Sequence, residues 1–348
     1  MKKSLTLFLA MTFALLMLSG CNEKKNEPAS PDTPSSDVRV RAITLSKTSY
    51  VFTAKGQTLQ LEATVIPADA TNPKVTWKSS NTAVMTVSDN GLVTCSDFGD
   101  AIITATADSK TATCMVSAYK DYVSDACENI YRIVKIGEQW WMAENMRCNK
   151  YDTDSERPNA TISTSSIEKD FAPYYIDASN KNNWNYSDDA EALSEWQIAK
   201  LGYLYNWAAT VGFATADEAR AQKEEFTGNR QGICPNGWHV PKESEFIALE
   251  QYLGDKISLG KRLKTKSGWC ENGNGTDEYS FSVLPAGQCA GGGVYSVGSV
   301  SYIQTSTPTI TQDGVEFAAN RHFAYSDPQL FDGYSGIYYA HSVRCVKN

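Results

Sequence analysis

Residues 272–278, Asn-Gly-Asn-Gly-Thr-Asp-Glu, alternate oxygen-bearing side chains with glycine. A loop of this kind can fold oxygens around a hard cation, and Ca2+ takes about six to eight of them. Asn272, Asn274 and Asp277 are the candidate ligands, although the spacing lacks the twelfth-position Glu of an EF-hand. A plain polar turn beside Cys270 is the alternative. A second chemistry is carbohydrate binding, in which aromatic rings cover sugar C–H faces while amides and carboxylates take the hydroxyls. Trp184, Tyr186, Trp269, Tyr295 and Tyr302 lie in loop-like segments and are the candidates. Catalysis is poorly provided for. No G-x-S-x-G, H-E-x-x-H or phosphate-loop motif occurs, and there are three histidines, His239, His322 and His341. The carboxylate pair Asp188-Asp189 has the groups for glycoside hydrolysis, but its spacing does not set the separation that reaction needs. The expectation is a protein that is not an enzyme.

The nine cysteines divide into Cys21 and eight others. An even set in an exported chain argues for disulfides, and with no C-x-x-C pair, zinc and thiol-redox readings are weak. Many pairings are open to eight cysteines. Proximity in sequence favours Cys270 with Cys289, Cys127 with Cys148, and Cys95 with Cys114.

The elements that would position these groups begin after an address. Met1-Lys2-Lys3 is basic, residues 5–18 are apolar apart from two Thr, and Leu18-Ser19-Gly20-Cys21 follows. Such a fourteen-residue run suits a signal peptide (1–20) and is too short to span a bilayer. The last four residues resemble a lipobox, which implies a diacylated Cys21 and a chain exported and lipid-anchored at the outer membrane or cell surface. Residues 21–40 are rich in Pro, Ser, Asp and Glu without apolar period and read as a disordered tether.

Residues 41–118 alternate apolar and polar side chains, as in Leu59, Leu61, Ala63 and Val65. Turn signals such as Asp89-Asn90-Gly91 separate about seven short strands, which predicts a β-sandwich. Gly56-Gln57-Thr58-Leu59-Gln60-Leu61, Val75-Thr76-Trp77-Lys78-Ser79-Ser80-Asn81 and Val87-Ser88-Asp89-Asn90-Gly91-Leu92-Val93 resemble the bacterial immunoglobulin-like group 2 domain. The resemblance implies a spacer in a surface protein, with Trp77 as the core aromatic.

Composition then shifts: seven of the eight Trp, sixteen of the eighteen Tyr and 30 of the 40 acidic residues lie beyond residue 120. A net charge of −8 argues against nucleic acid as a partner. Residues 130–136 and 139–142 read as a hairpin, Pro241 to Gly254 as a helix, and Ala340–Val346 as a terminal strand. Further helices are expected within 190–209 or 214–226. Tyr131-Arg132-Ile133-Val134-Lys135-Ile136-Gly137-Glu138-Gln139-Trp140-Trp141-Met142-Ala143-Glu144-Asn145-Met146, Gly202-Tyr203-Leu204-Tyr205-Asn206-Trp207, Gly232-Ile233-Cys234-Pro235-Asn236-Gly237-Trp238-His239-Val240-Pro241 and Ser342-Val343-Arg344-Cys345-Val346 resemble the Fibrobacter succinogenes major paralogous domain over 122–348. That resemblance implies an α+β fold similar to the C-type lectin and formylglycine-generating-enzyme group. In that fold the helix entry and last strand meet, which implies a Cys234–Cys345 bridge. Ca2+ in nearby loops of related folds is also implied. Lys242 and Tyr302-Ile303-Gln304-Thr305-Ser306 depart from the usual residues of the family. Residues 151–190 look like an insertion.

The expected whole is therefore multidomain: an all-β immunoglobulin-like sandwich followed by an α+β lectin-like domain. The expected function is non-enzymatic binding of glycan or a surface protein, in a lipoprotein held to the membrane by its anchor. A structural or accessory subunit of a surface assembly such as a pilus is the alternative. An enzyme of the formylglycine-generating type ranks third and needs two free Cys in one pocket.

Overall fold

The computed structural model describes residues 37–155, 162, 175–186, 193–213, 218, 228–311 and 314–348. The signal segment, Cys21, most of the tether, and Asp188 and Asp189 lie outside the described residues. The chain is multidomain and mostly β. No described helix is long and apolar enough to cross a membrane.

Nine strands build the first domain: β1 (Ala42–Leu45), β2 (Ser49–Phe52), β3 (Thr58–Gln60), β4 (Ala63–Ile66), β5 (Val75–Ser79), β6 (Met85–Val87), β7 (Leu92–Cys95), β8 (Gly99–Ala107) and β9 (Lys110–Ala118). They form sheets ordered β1-β4, β2-β9-β8-β5 and β3-β7-β6. Phe52, Leu61, Met85, Val93, Ile103 and Val116 meet in the core, with Trp77 packed against them. The single strand expected through Leu59–Val65 is two. The chain leaves one sheet for another at Leu61, whose N–H bonds the Gly91 carbonyl at 3.0 Å instead of a strand partner.

The second domain carries β10 (Tyr122–Ser124), β11 (Ile130–Ile136), β12 (Gln139–Met142), β13 (Tyr175–Asp177), β14 (Trp184–Tyr186), β15 (Tyr203–Asn206), β16 (Trp238–His239), β17 (Gln288–Ala290), β18 (Gly293–Tyr295), β19 (Val300–Thr311), β20 (Gly314–Ala324), β21 (Phe331–Gly336), β22 (Ala340–His341) and β23 (Val346–Lys347). Its sheets run β10-β11-β12-β23-β16, β13-β15-β22-β17-β18-β14 and β19-β20-β21. Among the described residues, helices α1 (Glu195–Ala199), α2 (Trp207–Val211), α3 (Glu243–Leu253) and α4 (Lys256–Leu263) accompany them. The expected hairpin is β11-β12, and α3 fills the expected helix, burying Phe246, Leu249 and Leu253. Lys242 offers its N-cap no side-chain acceptor, and the Glu245 carboxylate takes the Lys242 N–H at 2.8 Å and His239 Nε2 at 2.8 Å. His239 is thereby a buried packing residue. The terminal strand is split: carbonyls of Val343 and Cys345 accept from Met146 and Met142, so the chain crosses from one sheet to the next between β22 and β23.

The two domains touch through charge. Lys200 Nζ reaches the Tyr119 hydroxyl at 2.9 Å and Asp100 at 3.7 Å, beside a cavity of about 230 Å3 that Glu144 and Arg344 also line. Burial alone would push the Glu144 carboxyl up. Lys200, Arg147 and the Tyr119 hydroxyl outweigh it and hold the carboxyl at about 2, against an ordinary 4.5. The folded value is depressed, so the stabilisation is fully present above pH 4.5 and is lost as pH falls towards 2. It is worth about 3 kcal/mol. Glu144→Gln should lower the neutral-pH melting temperature and flatten the acid limb of the stability curve. Thermal melts across that pH range check this, and an unchanged acid limb would show that Glu144 does not govern it.

Candidate functional site

Strands β19, β20 and β21 form the surface on which polar and aromatic groups converge. Alternation sorts them. Ile303 and Phe323 turn to the core with Phe246 of α3, and Tyr302, Gln304, Asn320 and His322 take the opposite face. A one-residue slip would exchange the two sets, so the buried face fixes the register. Tyr302 lies opposite His322, Gln304 opposite Asn320, and Asn320 opposite Gly333 of β21.

The rings form a continuous stack. Tyr339 lies 6.4 Å from His341, His341 4.8 Å from Tyr302, Tyr302 5.2 Å from His322, and His322 4.8 Å from Phe331, with interplanar angles of 8–28°. Tyr338 leans on Tyr339 at 4.7 Å. A cleft of about 480 Å3 opens over this stack. Tyr302, Phe317, His322, Tyr334, Tyr338 and Tyr339 supply its rings, and Gln288, Asn320 and Ser335 its amides and a hydroxyl. None of the described residues lining it is Asp, Glu, Lys or Arg. The histidines do not add charge at neutral pH. Burial lowers His322 below the usual imidazole value and takes His341 down to about 3. His341 Nδ1 lies 2.9 Å from Gln304 Oε1, an oxygen that only accepts, so Nδ1 carries the proton. Burial also raises the Tyr302 phenol, so the cleft is neutral and amphipathic.

The same chain matches the Fibrobacter succinogenes major domain over residues 134–347. The chain belongs to that family. A bacterial Ig-like domain (group 2) matches residues 39–116, so the two domains stand in the order expected for this Fibrobacter succinogenes major domain protein. An uncharacterized protein of Clostridium acetobutylicum is 38% identical over 79 residues, 22% of this chain and 20% of its own. The kappa-carrageenase of Pseudoalteromonas carrageenovora is 40% identical over 77 residues, 22% of this chain and 19% of its own. The chain thus spans about a fifth of the length of the curated relatives it matches. Among solved structures it is similar to a termite-gut GH10 xylanase containing a bacterial Ig-like domain, at 24% identity and TM-score 0.16, covering 20% of this chain and 18% of that one. An intimin mutant of EHEC O157:H7 is similar at 20% identity and TM-score 0.17, covering 31% and 51%.

In this family member the residues expected from sequence fare differently. Tyr302 is central to the cleft, and Tyr295 is half-buried on β18, opposite Gln288. Trp269 is not a surface platform. It is 1% exposed in the core under α3 and α4, with its indole N–H on the Val283 carbonyl at 3.1 Å. Trp184 is half-buried and donates to the Ala178 carbonyl at 2.9 Å, so its ring packs away from the cleft. The Tyr186 side chain lies outside the described residues.

The three calcium candidates do not converge. Asn274 Oδ1 accepts the Trp269 N–H at 3.0 Å, while both Asp277 oxygens are held by Ser282, at 2.7 and 2.6 Å. Asn272 and Asn274 border a shallow groove with Tyr325, whereas Asp277 lines the interdomain cavity. The loop is a structural turn whose oxygens already serve its own backbone, and it does not fit Ca2+. Among the described residues one group of three donor side chains lies close enough for a metal, Asp125 with Cys127 and Cys148, and those two sulfurs are bonded to each other.

Two expected bridges form, Cys127–Cys148 and Cys234–Cys345. The other two do not, and Cys95, Cys114, Cys270 and Cys289 are buried thiols. Cys95 and Cys114 lie on different sheets, with their thiols turned to the carbonyls of Asp97 and Met115. Cys270 faces the Ser299 hydroxyl, whereas Cys289 is packed among Leu284, Val294 and Ala340. Proximity in sequence misled because a strand's pleat, not its separation along the chain, decides which way a thiol points.

Sequence reasoning missed His322, His341, Tyr338, Tyr339 and Asn320. The signal was present in the period-two alternation of residues 300–304 and 320–324 and in the Tyr338-Tyr339 pair. A single sequence does not say that three strands and a loop bring these together.

Proposed function

We propose that this protein is a non-enzymatic, surface-displayed binding protein that holds neutral carbohydrate in the cleft over the Tyr302 stack. The observation that supports it is a row of near-parallel rings bordered by amides and a hydroxyl, with no charged side chain in the described lining. Rings of this kind cover C–H faces, and neutral donors and acceptors suit hydroxyls without favouring acidic sugars. In this reading the C-terminal domain is C-type-lectin-like, and the immunoglobulin-like domain is a spacer above a Cys21 lipid anchor at the outer membrane or cell surface.

A glycan array probed with the full-length chain tests it, with and without chelator. Binding to neutral glycans that resists chelation is expected. Tyr302→Ala should weaken it at least tenfold, since a lost ring contact of about 1.4 kcal/mol or more gives that factor. Binding abolished by chelator would restore a metal to the site. A blank array with the fold intact would move the function to a structural role in a surface assembly.

A further inference from the structure

Two polar atoms in the cleft have no protein partner. Among the described residues, Asn320 Oδ1 and His322 Nδ1 are both inaccessible to solvent and hydrogen-bond to nothing. Buried polar atoms of this kind are uncommon, and each is a cost of about 1–3 kcal/mol that a bound group can remove. Ser301 Oγ and His341 Nε2 are the other two such atoms among the described residues, whereas Asn320 Oδ1 and His322 Nδ1 stand together. Both turn to one point beside Gly333, where a Cβ would lie 2.7 Å from Asn320 Oδ1 and 3.2 Å from His322 Nδ1. The glycine is not needed for backbone conformation, since its φ is not in the left-handed region. Its lack of a side chain is what lets those two atoms pack against it, between strands that pair Asn320 with Gly333 and His322 with Phe331.

Surrounding bonds fix what each atom can do. Asn320 Nδ2 donates to Ser335 Oγ at 2.9 Å, which orients the amide and leaves Oδ1 as an acceptor. The His322 ring is held between Tyr302 and Phe331, so Nδ1 cannot swing away. Resting on the carbohydrate reading of this cleft, we propose that the Gly333 notch is its specificity site and reads two neighbouring hydroxyls of a neutral pyranose. One hydroxyl donates to Asn320 Oδ1. The adjacent one hydrogen-bonds His322 Nδ1 while the sugar ring lies along the aromatic stack. A charged substituent is excluded because no lining group would balance it, and a sugar deoxygenated at either position leaves a buried atom unmatched.

The test is saturation-transfer NMR titration of the full-length chain with methyl glucopyranoside, galactopyranoside and mannopyranoside and their 2-, 3- and 4-deoxy forms. The wild type should bind one parent sugar and lose about tenfold in affinity when one of two adjacent hydroxyls is removed. Gly333→Ala should weaken the parent sugar by about tenfold or more. His322→Phe keeps a ring in the stack and removes Nδ1. It should bind the parent about tenfold more weakly and no longer distinguish it from one deoxy form, and it carries the test should Gly333→Ala fail to fold by thermal melt. Wild-type binding with unaltered deoxy discrimination in His322→Phe would overturn the notch and leave the cleft reading standing. No binding of any pyranoside, together with a blank glycan array, would overturn both.

Discussion

Replacing Cys234 and Cys345 together by alanine is expected to destabilise the protein by about 5 kcal/mol, the largest effect of any single covalent change. The bridge closes a loop of sequence separation 111, and in the chain-entropy view the restriction it places on the unfolded chain grows with the logarithm of that length. The Cys127–Cys148 bridge, with a separation of 21, should be worth about 3 kcal/mol on the same basis. Both ends of the longer bridge are fully buried in one core with Tyr131, Met142, Trp238 and Val343. Losing it therefore frees the entry to α3 and the end of the chain at once. Four residues before Cys345 is His341, one ring of the cleft stack, so binding should weaken along with stability. Urea midpoints of the two double variants check the order. A smaller loss for the longer loop would mean that the unfolded chain keeps structure between residues 234 and 345.

The second large effect is expected at Arg321. Its guanidinium is 1% exposed and meets Glu250 at 2.6 Å, Asp332 at 2.9 Å and Glu243 at 3.5 Å, over the ring of Phe246. Arg321 sits on β20 between Asn320 and His322, turned to the opposite face, so the ion cluster clamps the strand that carries the notch to α3. Arg321→Met would keep most of the apolar volume but leave Glu243 without its cation, and Glu250 and Asp332 with the half-buried Lys256 alone. A loss of about 3–5 kcal/mol follows, or roughly 10 °C in melting temperature. Adding Glu250→Met should restore part of it, because a buried pair replaced by apolar groups is often near neutral. Thermal melts of the single and double variants measure this, and no recovery in the double variant would locate the cost in packing over Phe246 rather than in charge.

Much of the architecture was legible in the sequence because it rests on local physics. Strand alternation and Asp-Asn-Gly turns marked the first domain, and Phe246, Leu249 and Leu253 marked α3 by their spacing. The immunoglobulin-like resemblance implied Trp77 as the core aromatic, and its half-buried ring packs against the core. The family resemblance supplied Cys234–Cys345, which no local rule would have chosen over so long a separation. Trp269 was misplaced because a Gly- and Asn-rich neighbourhood reads as exposed loop, whereas Val283 and the helices close over its ring. Asn274 and Asp277 were misread because oxygens that suit a cation suit backbone N–H groups equally well, and the chain supplies those at shorter range.

Taken alone, the sequence determined the two-domain order, the β-rich first domain, the aromatic second domain and the residue types available for binding. Each of these is written in composition or in periods of a few residues. Only the tertiary structure decided which aromatics form a site. The stack from Tyr302 through His322 and His341 to Tyr339 joins β19, β20, β22 and the loop before it, across as many as 39 residues of chain. Its members are set by sheet register and by which face each strand buries. Those are properties of strands in pairs, and no single strand carries them.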